Sequence, residues 1–565
     1  MKTSYQISFS LAIPKTPVKV VELFDQSCDQ ILVSSKEFNE LKSVAGYWKR
    51  MHEDARAREE ILKQKVKELE AKVRDLNARL FGKKSEKKTP GKNEAQSQSS
   101  NPKKPRGQQP GSKGHGRTDR SNLPEKKEES NFSKPPVCSK CGEAYIPDES
   151  KEAEIIEVDV KAYKRKIIRQ HMKQACSCEG VPGTITAPMP PVVLPKSQYG
   201  VSIWESVLLN KYLHSQPTNR LVNDYAGLGL PISPGTIAGG LRSLAKLFQP
   251  VYEALYNYQV TEENLFNNDE SRWKIFEHVD GKIGNLWWLW VTRSPSVVFF
   301  QIAQSRGASV PIAHFEAMKE RNIKVIIVCD RYKAYKSLAK LLTFIILAFC
   351  WSHVRRDFLN AAKKYPELED WTLSWVEKIG ELYHINNQRC EEFDQKIPIQ
   401  WQSASFKEHH NLLVEKVDAM ACQRDTFIDT YNPDDPDLDL LTKTKSKILT
   451  SMKNHWEGLT VFVDHPQVPM DNNKGEQAIR NPVTGRKTFY GSGSQWSAQM
   501  AAFIYSIFQT LLLWGINCRN WVRSYLNACA QNNGKPPEDL SPFLPWKMDE
   551  ARRQLLSKPP YVDTS

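Results

Sequence analysis

Apolar residues follow a heptad spacing in one amino-terminal stretch of the chain. The seam recurs at alternating intervals of four and three residues and consists of Leu62, Val66, Leu69, Val73, Leu76 and Leu80. Acid-before-base pairs at i,i+4 support a helix here: Glu68 with Lys72, Glu70 with Arg74, and Asp75 with Arg79. The pattern predicts a coiled coil that joins two copies of the chain. A single amphipathic helix packed on its own domain is the alternative, which the polar linker that follows makes less favourable.

Runs of apolar and β-branched residues predict strands in the second half of the chain. The run Val325–Cys329 is apolar at every position, as expected of a strand buried on both faces of a sheet. We expect further strands over 286–291, 296–302 and 343–349, and another that ends at Asp269. Together they predict a mixed α/β sheet. Helical patterns over 357–465, with a break at Pro433–Asp439, predict a mainly helical insertion.

Helical patterns also follow one another between 200 and 258. Pro217 suits the start of the second helix, and Ser233 is a suitable N-cap for a third helix that begins at Pro234. This arrangement predicts a helix-turn-helix-like unit that would present Thr236 and Arg242 to DNA. A purely structural helical subdomain next to the sheet is the alternative.

Three acids stand where a sheet edge or a helix start would bring them together. Asp330 directly follows the run Val325–Cys329, Asp269 ends the first predicted strand, and Glu476 lies on a helix that we expect Asp471 to cap. Carboxylates at one edge can hold two Mg²⁺ or Mn²⁺ ions about 4 Å apart, which activate an attacking oxygen and stabilise the departing one. Each acid alone is more typical of a helix or turn cap. The ordered set predicts a metal-dependent nuclease.

Four short motifs surround these acids in order. An Asp-Glu pair comes first, followed by Asp-x-Tyr-x-x-Tyr, Cys-Trp-x-His-x-Arg-Arg, and Asn-Asn-x-x-Glu-x-x-x-Arg with Gly-Arg-Lys after it. Their members are Asp269, Glu270, Asp330, Tyr332, Tyr335, Cys350, Trp351, His353, Arg355, Arg356, Asn472, Asn473, Glu476, Arg480, Gly485, Arg486 and Lys487. Over roughly residues 60–548 the chain resembles the insertion sequence 66 family of transposases.

This resemblance implies a DDE catalytic domain with the ribonuclease-H-like fold, in which Asp269, Asp330 and Glu476 form the catalytic triad. Three further residues would support the active site: Glu270, His353 and Arg480. A core histidine with its hydrogen bonds satisfied is the alternative for His353. The enzyme would bind double-stranded DNA at the ends of its element, cleave there, and join the freed 3′-OH to target DNA. Its partners would include a second copy in a homodimer or larger homo-oligomer, and small accessory proteins of the same element.

Basic side chains in the later motifs are natural phosphate contacts. Guanidinium groups match phosphate oxygens in geometry and charge. The candidates are Arg355, Arg356, Arg486 and Lys487. Surface ion pairs are the alternative role for some of them.

Several cysteines are arranged as metal ligands. Cys138-x-x-Cys141 followed by glycine is a zinc-knuckle sequence, and Cys176-x-Cys178 comes after it. Four thiolates on two short turns complete a tetrahedral Zn²⁺ shell. His171 is an alternative for the last ligand, and four buried thiols without metal are the alternative to zinc. We therefore predict a small zinc-binding module.

Composition adds a basic segment and a polyanionic partner. Lys and Arg outnumber Asp and Glu by 79 to 65, which gives a net charge of +14 and favours DNA binding. Residues 83–136 are rich in Lys, Ser, Gln, Gly and Pro and should form a flexible linker. Its glycine-rich part would bring three basic residues to DNA: Arg106, Lys113 and Arg117. A plain solvated linker is the alternative.

Targeting and membrane signals are weak in this sequence. Met1–Ile13 has a single basic residue, and its apolar stretch is interrupted by serines, unlike a secretory signal. The longest apolar segments, 341–351 and 503–514, are shorter than the roughly 18 residues of a membrane span and fit buried elements better. Eleven cysteines without a signal favour reduced thiols. We expect a bacterial cytoplasmic, nucleoid-associated protein without membrane contact.

The predictions divide the chain into successive segments and leave two other functions open. The segments are an N-terminal segment (1–50), the coiled-coil helix (51–82), the linker (83–136), the zinc module (137–180), the helical region (200–258), the catalytic domain (259–517) and a C-terminal segment (518–565). A ribonuclease-H-like nuclease such as a junction resolvase is one rival, which the motif order and zinc module argue against. A non-catalytic zinc and coiled-coil DNA-binding repressor is the other, which the intact acids argue against.

Overall fold

The computed structural model describes residues 35–81, 136–137, 139–146, 160–175, 180, 182 and 184–557. Its first element is the long helix α1, Ser35–Phe81. This helix begins before the predicted start at residue 51, because residues 35–50 contain good helix formers and no proline. The described seam side chains are each more than half exposed on α1: Leu62, Val66, Leu69, Val73 and Leu76.

Two of the predicted ion pairs along α1 are present. Lys72 lies 2.9 Å from Glu68, and Arg74 lies 3.8 Å from Glu70. The side chains of Leu80 and of the third pair, Asp75 with Arg79, lie outside the described residues. The coiled coil therefore stays a prediction.

The region of the expected zinc module is described only in part. Strands β1 (His171–Lys173) and β2 (Thr184–Thr186) pair antiparallel. Cys141 is exposed in a turn, and His171 Nδ1 is 2.8 Å from Thr186 Oγ1. The other expected ligands, Cys138, Cys176 and Cys178, lie outside the described residues, as do the linker residues Arg106, Lys113 and Arg117. Zinc binding and the linker contacts stay predictions.

Three helices follow where the sequence predicts them: α2 (Val201–Leu208), α3 (Thr218–Gly227) and α4 (Pro234–Glu262). Ser233 caps α4 as predicted, since its Oγ accepts from the Thr236 N–H at 3.1 Å. Thr236 also shares a hydrogen bond with the Ser233 hydroxyl, whereas Arg242 is exposed above the ring of Trp496. Much of α4 is buried in the core, so the helix has a structural role whether or not it contacts DNA.

A five-stranded mixed sheet belongs to the larger of two compact units, residues 77–565. Its strands are β3 (Leu265–Lys274), β4 (Leu286–Arg293), β5 (Val298–Ala303), β6 (Val325–Cys329) and β7 (Ile345–Phe349), and their order is β5-β4-β3-β6-β7. Strands β3, β4 and β5 pair antiparallel, whereas β6 pairs in parallel with both β3 and β7. The mixed sheet predicted from the sequence is confirmed.

The expectation that a strand ends at Asp269 is wrong. Strand β3 continues to Lys274 because its antiparallel partner β4 pairs with it from Asn267 to Lys274. The parallel partner β6 pairs only with Leu265 to Asn267. Asp269 therefore lies in mid-strand, two residues beyond the point where parallel pairing stops.

Helices cover both faces of the sheet. Between β5 and β6 lies α5 (Ser309–Phe315), and between β6 and β7 lies α6 (Lys333–Leu341). The predicted helical insertion consists of α7 (Trp351–Lys364), α8 (Glu369–Glu391), α9 (Ala404–Thr430), α10 (Leu440–Lys453) and α11 (Trp456–Asp464). These helices share a core with β6 and β7 on one side, and α2 to α4 share a second core with β4 and β5.

The chain then returns to the sheet through α12 (Asn473–Phe489), α13 (Gln495–Leu513), α14 (Cys518–Gln531) and α15 (Glu550–Ser557). Among the described helices, α13 is the one long and apolar enough to span a membrane. Most of it is buried, and its Ser506 and Thr510 hydroxyls accept from the Phe300 and Val298 amides of edge strand β5, at 2.8 and 3.0 Å. Residues of α14 and α15 belong to the same core, so the predicted C-terminal segment extends the domain.

Candidate active site

Strand β3 presents two neighbouring acids on opposite faces of the sheet, since successive side chains of a strand alternate. Asn267 shares a face with Asp269, and its Nδ2 donates to Asn472 Oδ1 just before α12, at 2.9 Å. Glu270 accepts instead from Tyr335 Oη of α6, at 2.7 Å. Asp269 therefore faces α12, and Glu270 faces α6.

Asp330 follows β6 at the edge where β3 and β6 pair in parallel. Its Oδ1 accepts from the Tyr332 N–H at 2.9 Å, which fixes the carboxylate in the turn before α6. Burial is the main cause of the raised pKa of both Asp269 and Glu270, and the negative charge of Asp330 adds to each shift. Asp330 is therefore close enough to both acids of β3 for its charge to act on them.

Asn472 holds the helix that carries Glu476 against β3. Its Oδ1 accepts from Asn267, and its Nδ2 donates to the Asn268 carbonyl at 2.7 Å. The side chain is almost fully buried, at 2% exposure. Gly475 makes room for it, because a Cβ at that position would lie 2.8 Å from Asn472 Oδ1. The Asn-Asn-x-x-Glu motif thus fixes the position of the third acid.

The prediction that Asp471 is the N-cap of this helix is wrong by one residue. Asn472 is the N-cap, and α12 begins at Asn473. Asp471 Oδ1 nevertheless accepts from the Asn473 N–H at 3.0 Å. The reason is that the Asn472 side chain is engaged with β3, so Asp471 supplies the hydrogen bond from one residue further out.

The other end of α12 is also attached to β3. Arg486 donates to the Arg272 carbonyl at 2.5 Å and to Ser271 Oγ at 3.4 Å. The loop that follows passes close to the same strand at Gly491, whose φ is +138°. A Cβ there would lie 2.3 Å from the Lys274 carbonyl oxygen, so this position requires glycine.

The pKa of Asp269 indicates that other acids lie close to it. Burial, the adjacent Glu270, and the charges of Glu476 and Asp330 raise its pKa to about 7, although the Glu270 N–H that donates to Asp269 Oδ1 opposes the shift. Asp269 on β3 is therefore within electrostatic reach of both other predicted catalytic acids, at the end of β6 and on α12.

Glu270 has its own partners, and one of them was not identified from the sequence. Arg306 donates to Glu270 Oε1 through Nε at 2.9 Å and Nη2 at 2.6 Å, while Tyr335 occupies Oε2. The Arg306 guanidinium also stacks on the ring of Tyr332, at 3.9 Å, and lies 4.9 Å from the ring of Trp288. Both tyrosines of the Asp-x-Tyr-x-x-Tyr motif thus serve to fix Glu270.

His353 lies beside the acids and is not a satisfied core histidine. Its Nδ1 is buried and has no hydrogen-bond partner in the part of the chain that the structure describes. Burial and the nearby Arg356 lower its pKa, whereas Asp330 and Glu476 oppose that shift. The imidazole is therefore neutral at physiological pH.

Cys350 lies next to His353 and Glu476, and the ligand atoms of all three are within 4.8 Å of one another. Burial raises the pKa of the Cys350 thiol, and backbone hydrogen bonds from Asn472, His353 and Ser352 oppose that shift. Cys350 and His353 form a Cys-x-x-His pair with the spacing of half a zinc site, and no second pair lies near it in the sequence. Glu476 approaches it because folding brings α12 to the start of α7.

The basic residues of the motifs differ in how exposed their side chains are. Arg480 and Lys487 are exposed on α12, and Arg356 is exposed on α7, where Arg355 is half-buried. Arg486 is committed to the backbone of β3, as described above. Of the predicted phosphate contacts on α12, Arg480 and Lys487 are the more accessible.

Comparisons with known proteins agree with the motifs. A model of the Transposase IS66 family matches residues 196–500, more than half of the chain. Two uncharacterized proteins of Sinorhizobium fredii (strain NBRC 101917 / NGR234) are similar: y4hP is 22% identical over 74% of this chain and 74% of its own, and y4jD is 23% identical over 73% and 78%. A solved Drosophila P element transposase strand transfer complex matches with a TM-score of 0.31 and 11% identity, over 55% of this chain and 93% of that one.

Proposed function

Because the chain belongs to the IS66 family of transposases, we propose that it is a DDE transposase with a ribonuclease-H-like catalytic domain. It binds the terminal inverted repeats of its element, cleaves the element ends and joins the 3′-OH to target DNA. Asp269, Asp330 and Glu476 are the catalytic acids. The observation that carries the proposal is the approach of α12 to β3, which Asn472 fixes through two hydrogen bonds. Burial raises the pKa of Asp269 at this point, and the charges of Glu476 and Asp330 add to the shift.

The donor chemistry of the three acids suits a divalent metal. Their donors are carboxylate oxygens, which Mg²⁺ and Mn²⁺ prefer. The ionised form of Asp269 is disfavoured by its acidic neighbours, and positive charge in their midst would relieve that repulsion. When bound, such ions activate the attacking oxygen and neutralise the departing one. Hydrolysis at the element end and attack by the 3′-OH need the same chemistry.

The remaining residues position the acids and the DNA. Asn472 fixes the start of α12 on β3, so Glu476 keeps its place relative to Asp269. Arg306 and Tyr335 hold Glu270 on the opposite face, where it supports the site as a fixed anion. His353 orients water or a phosphate oxygen through its neutral imidazole, since it lies near Asp330 and Glu476.

Phosphate binding is assigned to the basic residues around the site. Arg480 and Lys487 contact the DNA backbone from the exposed side of α12, and Arg355 and Arg356 contact it from α7. Arg486 instead donates its hydrogen bond to the backbone of β3. These contacts are independent of base sequence, so recognition of the inverted repeats needs other parts of the chain.

Those other parts are the amino-terminal modules. We propose that the cysteine module binds Zn²⁺, that the basic linker and Arg242 contact the element ends, and that α1 pairs two copies in a homodimer or larger homo-oligomer. Exposed apolar side chains along the seam of α1 support the last of these. Because its substrate is DNA, the protein acts at the bacterial nucleoid. Small proteins of the same element are further partners.

The sheet supports the proposed fold. Its antiparallel half, β3 to β5, and its parallel half, β6 and β7, meet at β3, and the acids of β3 and β6 lie at that junction. A helical insertion separates the second and third acids. A junction-resolving nuclease or an inactive DNA-binding repressor would share parts of this architecture.

One experiment separates these functions. Purified protein is incubated with DNA that carries its own element ends, with Mg²⁺ or with chelator, and the products are resolved by strand. A transposase gives Mg²⁺-dependent 3′ nicks at the ends and then joined products with target DNA. Cleavage of branched DNA without end specificity would indicate a resolvase, and binding without cleavage would indicate a repressor.

A further inference from the structure

Cys350, His353 and Glu476 bring together a sulfur, an imidazole nitrogen and a carboxylate oxygen, all within 4.8 Å. This donor set differs in chemistry from the three catalytic acids. Thiolate and imidazole prefer Zn²⁺ and similar soft ions, whereas Mg²⁺ takes oxygen ligands. Glu476 belongs to both sets.

The backbone fixes the sulfur at this point. Cys350 immediately precedes α7, and its N–H donates to the Cys329 carbonyl at 3.0 Å. The next residue, Trp351, donates to the Met470 carbonyl at 2.9 Å, and the Asn472 N–H donates to the Cys350 sulfur at 3.2 Å. The thiol is therefore held between β7, α7 and the start of α12 without depending on a flexible side chain.

His353 provides the second, independent observation. It lies one turn into α7 from Cys350, and its Nδ1 is buried without a hydrogen-bond partner among the described residues. An unpaired buried nitrogen costs free energy that a ligand or metal bond would recover. The half-buried Glu476 completes the group on the solvent side.

We propose that Cys350, His353 and Glu476 bind one Zn²⁺ ion, and that this ion inhibits the enzyme by withdrawing Glu476 from the magnesium site. Ligand atoms on a tetrahedral zinc ion lie about 3.5 Å apart, given bond lengths of about 2.0–2.3 Å, so modest side-chain rotations close the set. Binding forms one bond each to sulfur, nitrogen and oxygen, and releases the thiol proton to solvent. The inhibition rests on the proposed role of Glu476, whereas zinc binding does not.

Zinc content tests the site directly. Full-length protein is stripped with chelator, dialysed against buffered Zn²⁺ and analysed for metal per chain. We compare wild type with Cys350→Ser and His353→Ala. The matched control is Cys518→Ser, which removes another buried thiol from the first turn of a helix. Zinc held by the amino-terminal cysteine module is common to all four proteins and cancels in the comparison.

Both site variants should bind one zinc ion fewer than wild type, or bind that ion at least ~10-fold more weakly. The control should match wild type. With Co²⁺ in place of Zn²⁺, Cys350→Ser should lack the thiolate-to-metal absorption of this site even at saturating metal, whereas His353→Ala should show it in proportion to the ion that it still binds. Equal zinc content and affinity in wild type, Cys350→Ser and His353→Ala would overturn the site. If Cys350→Ser does not fold, the His353→Ala measurement decides the question.

Inhibition is tested separately from binding. Mg²⁺-dependent cleavage of element ends is titrated with Zn²⁺, and each protein is normalised to its own zinc-free rate. Wild type should be inhibited at lower Zn²⁺ than Cys350→Ser by at least ~10-fold. If wild type binds the ion but is inhibited at the same Zn²⁺ concentration as Cys350→Ser, the zinc site is retained and its effect on catalysis is rejected. A wild type without Mg²⁺-dependent cleavage would reject the proposed function, while the zinc content would still report on the site.

Discussion

Arg306 and Glu270 form a two-bond ion pair across 36 positions of sequence, with Nη2 at 2.6 Å and Nε at 2.9 Å from the same carboxylate oxygen. The Glu270 side chain is 2% exposed. Its second oxygen accepts from Tyr335, so both oxygens are occupied by protein donors. Glu270 is therefore held as a fixed anion behind the acids and is not free to replace Asp269.

Arg306→Lys should lower both stability and cleavage. Lysine keeps the charge but loses the two-bond geometry and the stacking on Tyr332, and it leaves part of the buried Glu270 charge uncompensated. We expect a loss of about 1–3 kcal/mol, measured by denaturant unfolding, and a lower rate of end cleavage per folded molecule.

Arg519→Lys is the matched control. Arg519 also pairs with a buried glutamate, Glu205, at 3.0 Å, but on α14. This variant should lose stability and keep the cleavage rate of its folded fraction. An Arg306→Lys protein that also keeps its rate would limit Arg306 to a structural role.

Glu476→Gln should abolish end cleavage and leave DNA binding nearly intact, because the change removes one ligand charge at constant side-chain size. Loss of one metal ligand is expected to slow the reaction on the order of 1000-fold. Asp269→Asn and Asp330→Asn should behave alike. Gel shift and strand-resolved cleavage are measured on the same preparations, with Glu457→Gln, an exposed acid on α11, as control. Parallel loss of binding and cleavage would indicate a structural role for Glu476.

Local sequence patterns predicted much of the sheet and of its flanking helices. The apolar run Val325–Cys329 is a strand buried at every position, and Ser233 caps α4, because both features depend on residues close in sequence. The extension of β3 beyond Asp269 depends on β4, a partner strand whose register no local pattern specifies. The amino-terminal start of α1 was missed for a different reason, since residues 35–50 have helix propensity without the heptad seam.

The candidate active site could be predicted only where a motif carries its residues. Asp269, Asp330 and Glu476 stand in motifs, but Arg306 lies in a loop after β5 with no pattern around it, and its role follows from its distance to Glu270. Cys350 and His353 were recognisable as a pair, whereas their approach to Glu476 requires the tertiary hydrogen bond from Asn472 to Cys350. Long-range contacts of this kind are set by packing and are not readable from spacing.

Asp269→Asn should make the stability of the metal-free protein less dependent on pH. The Asp269 pKa is raised to about 7 from an ordinary value of 3.8. The unfolded chain therefore releases this proton first as pH rises, and stability falls from about pH 4 to pH 7, by up to about 1.4 kcal/mol per pH unit. Asparagine does not ionise, so the variant does not lose this stability. The Tm of Asp269→Asn relative to that of wild type should therefore increase across this pH range.

Melting curves in chelator, recorded from pH 5 to pH 8, measure the effect. Mg²⁺ should raise the Tm of wild type at pH 8 and raise that of Asp269→Asn less, because the ion stabilises the ionised acid. Parallel Tm profiles for the two proteins would mean that Asp269 ionises normally in the fold.

Asn472→Ala should impair cleavage through the position of Glu476. The change removes one acceptor and one donor and leaves Asn267 and the Asn268 carbonyl unsatisfied in a buried place, at a cost of about 1–3 kcal/mol. The cleavage rate should fall while the apparent affinity for DNA is kept. Asn473→Ala, at the exposed neighbouring position, is the control and should retain the wild-type rate. Equal rates in both variants would show that α12 does not need this attachment to β3.

Leu69→Lys combined with Leu76→Lys should prevent the pairing of two copies through α1. Both leucines are more than half exposed on the helix, as expected of a seam that awaits a partner. A single catalytic domain has one set of acids, whereas an element has two ends, so paired copies are needed to hold both ends. Four like charges brought into one short seam would cost several kcal/mol, more than a coiled coil of under three heptads can absorb. Ala57→Lys with Gln64→Lys adds the same charge on the outer face of α1 and serves as the control. Sedimentation should show monomers, and a paired-end gel shift should show single-end complexes, for the seam variant only. If the seam variant still dimerises and pairs two ends normally, the seam is an intramolecular packing surface.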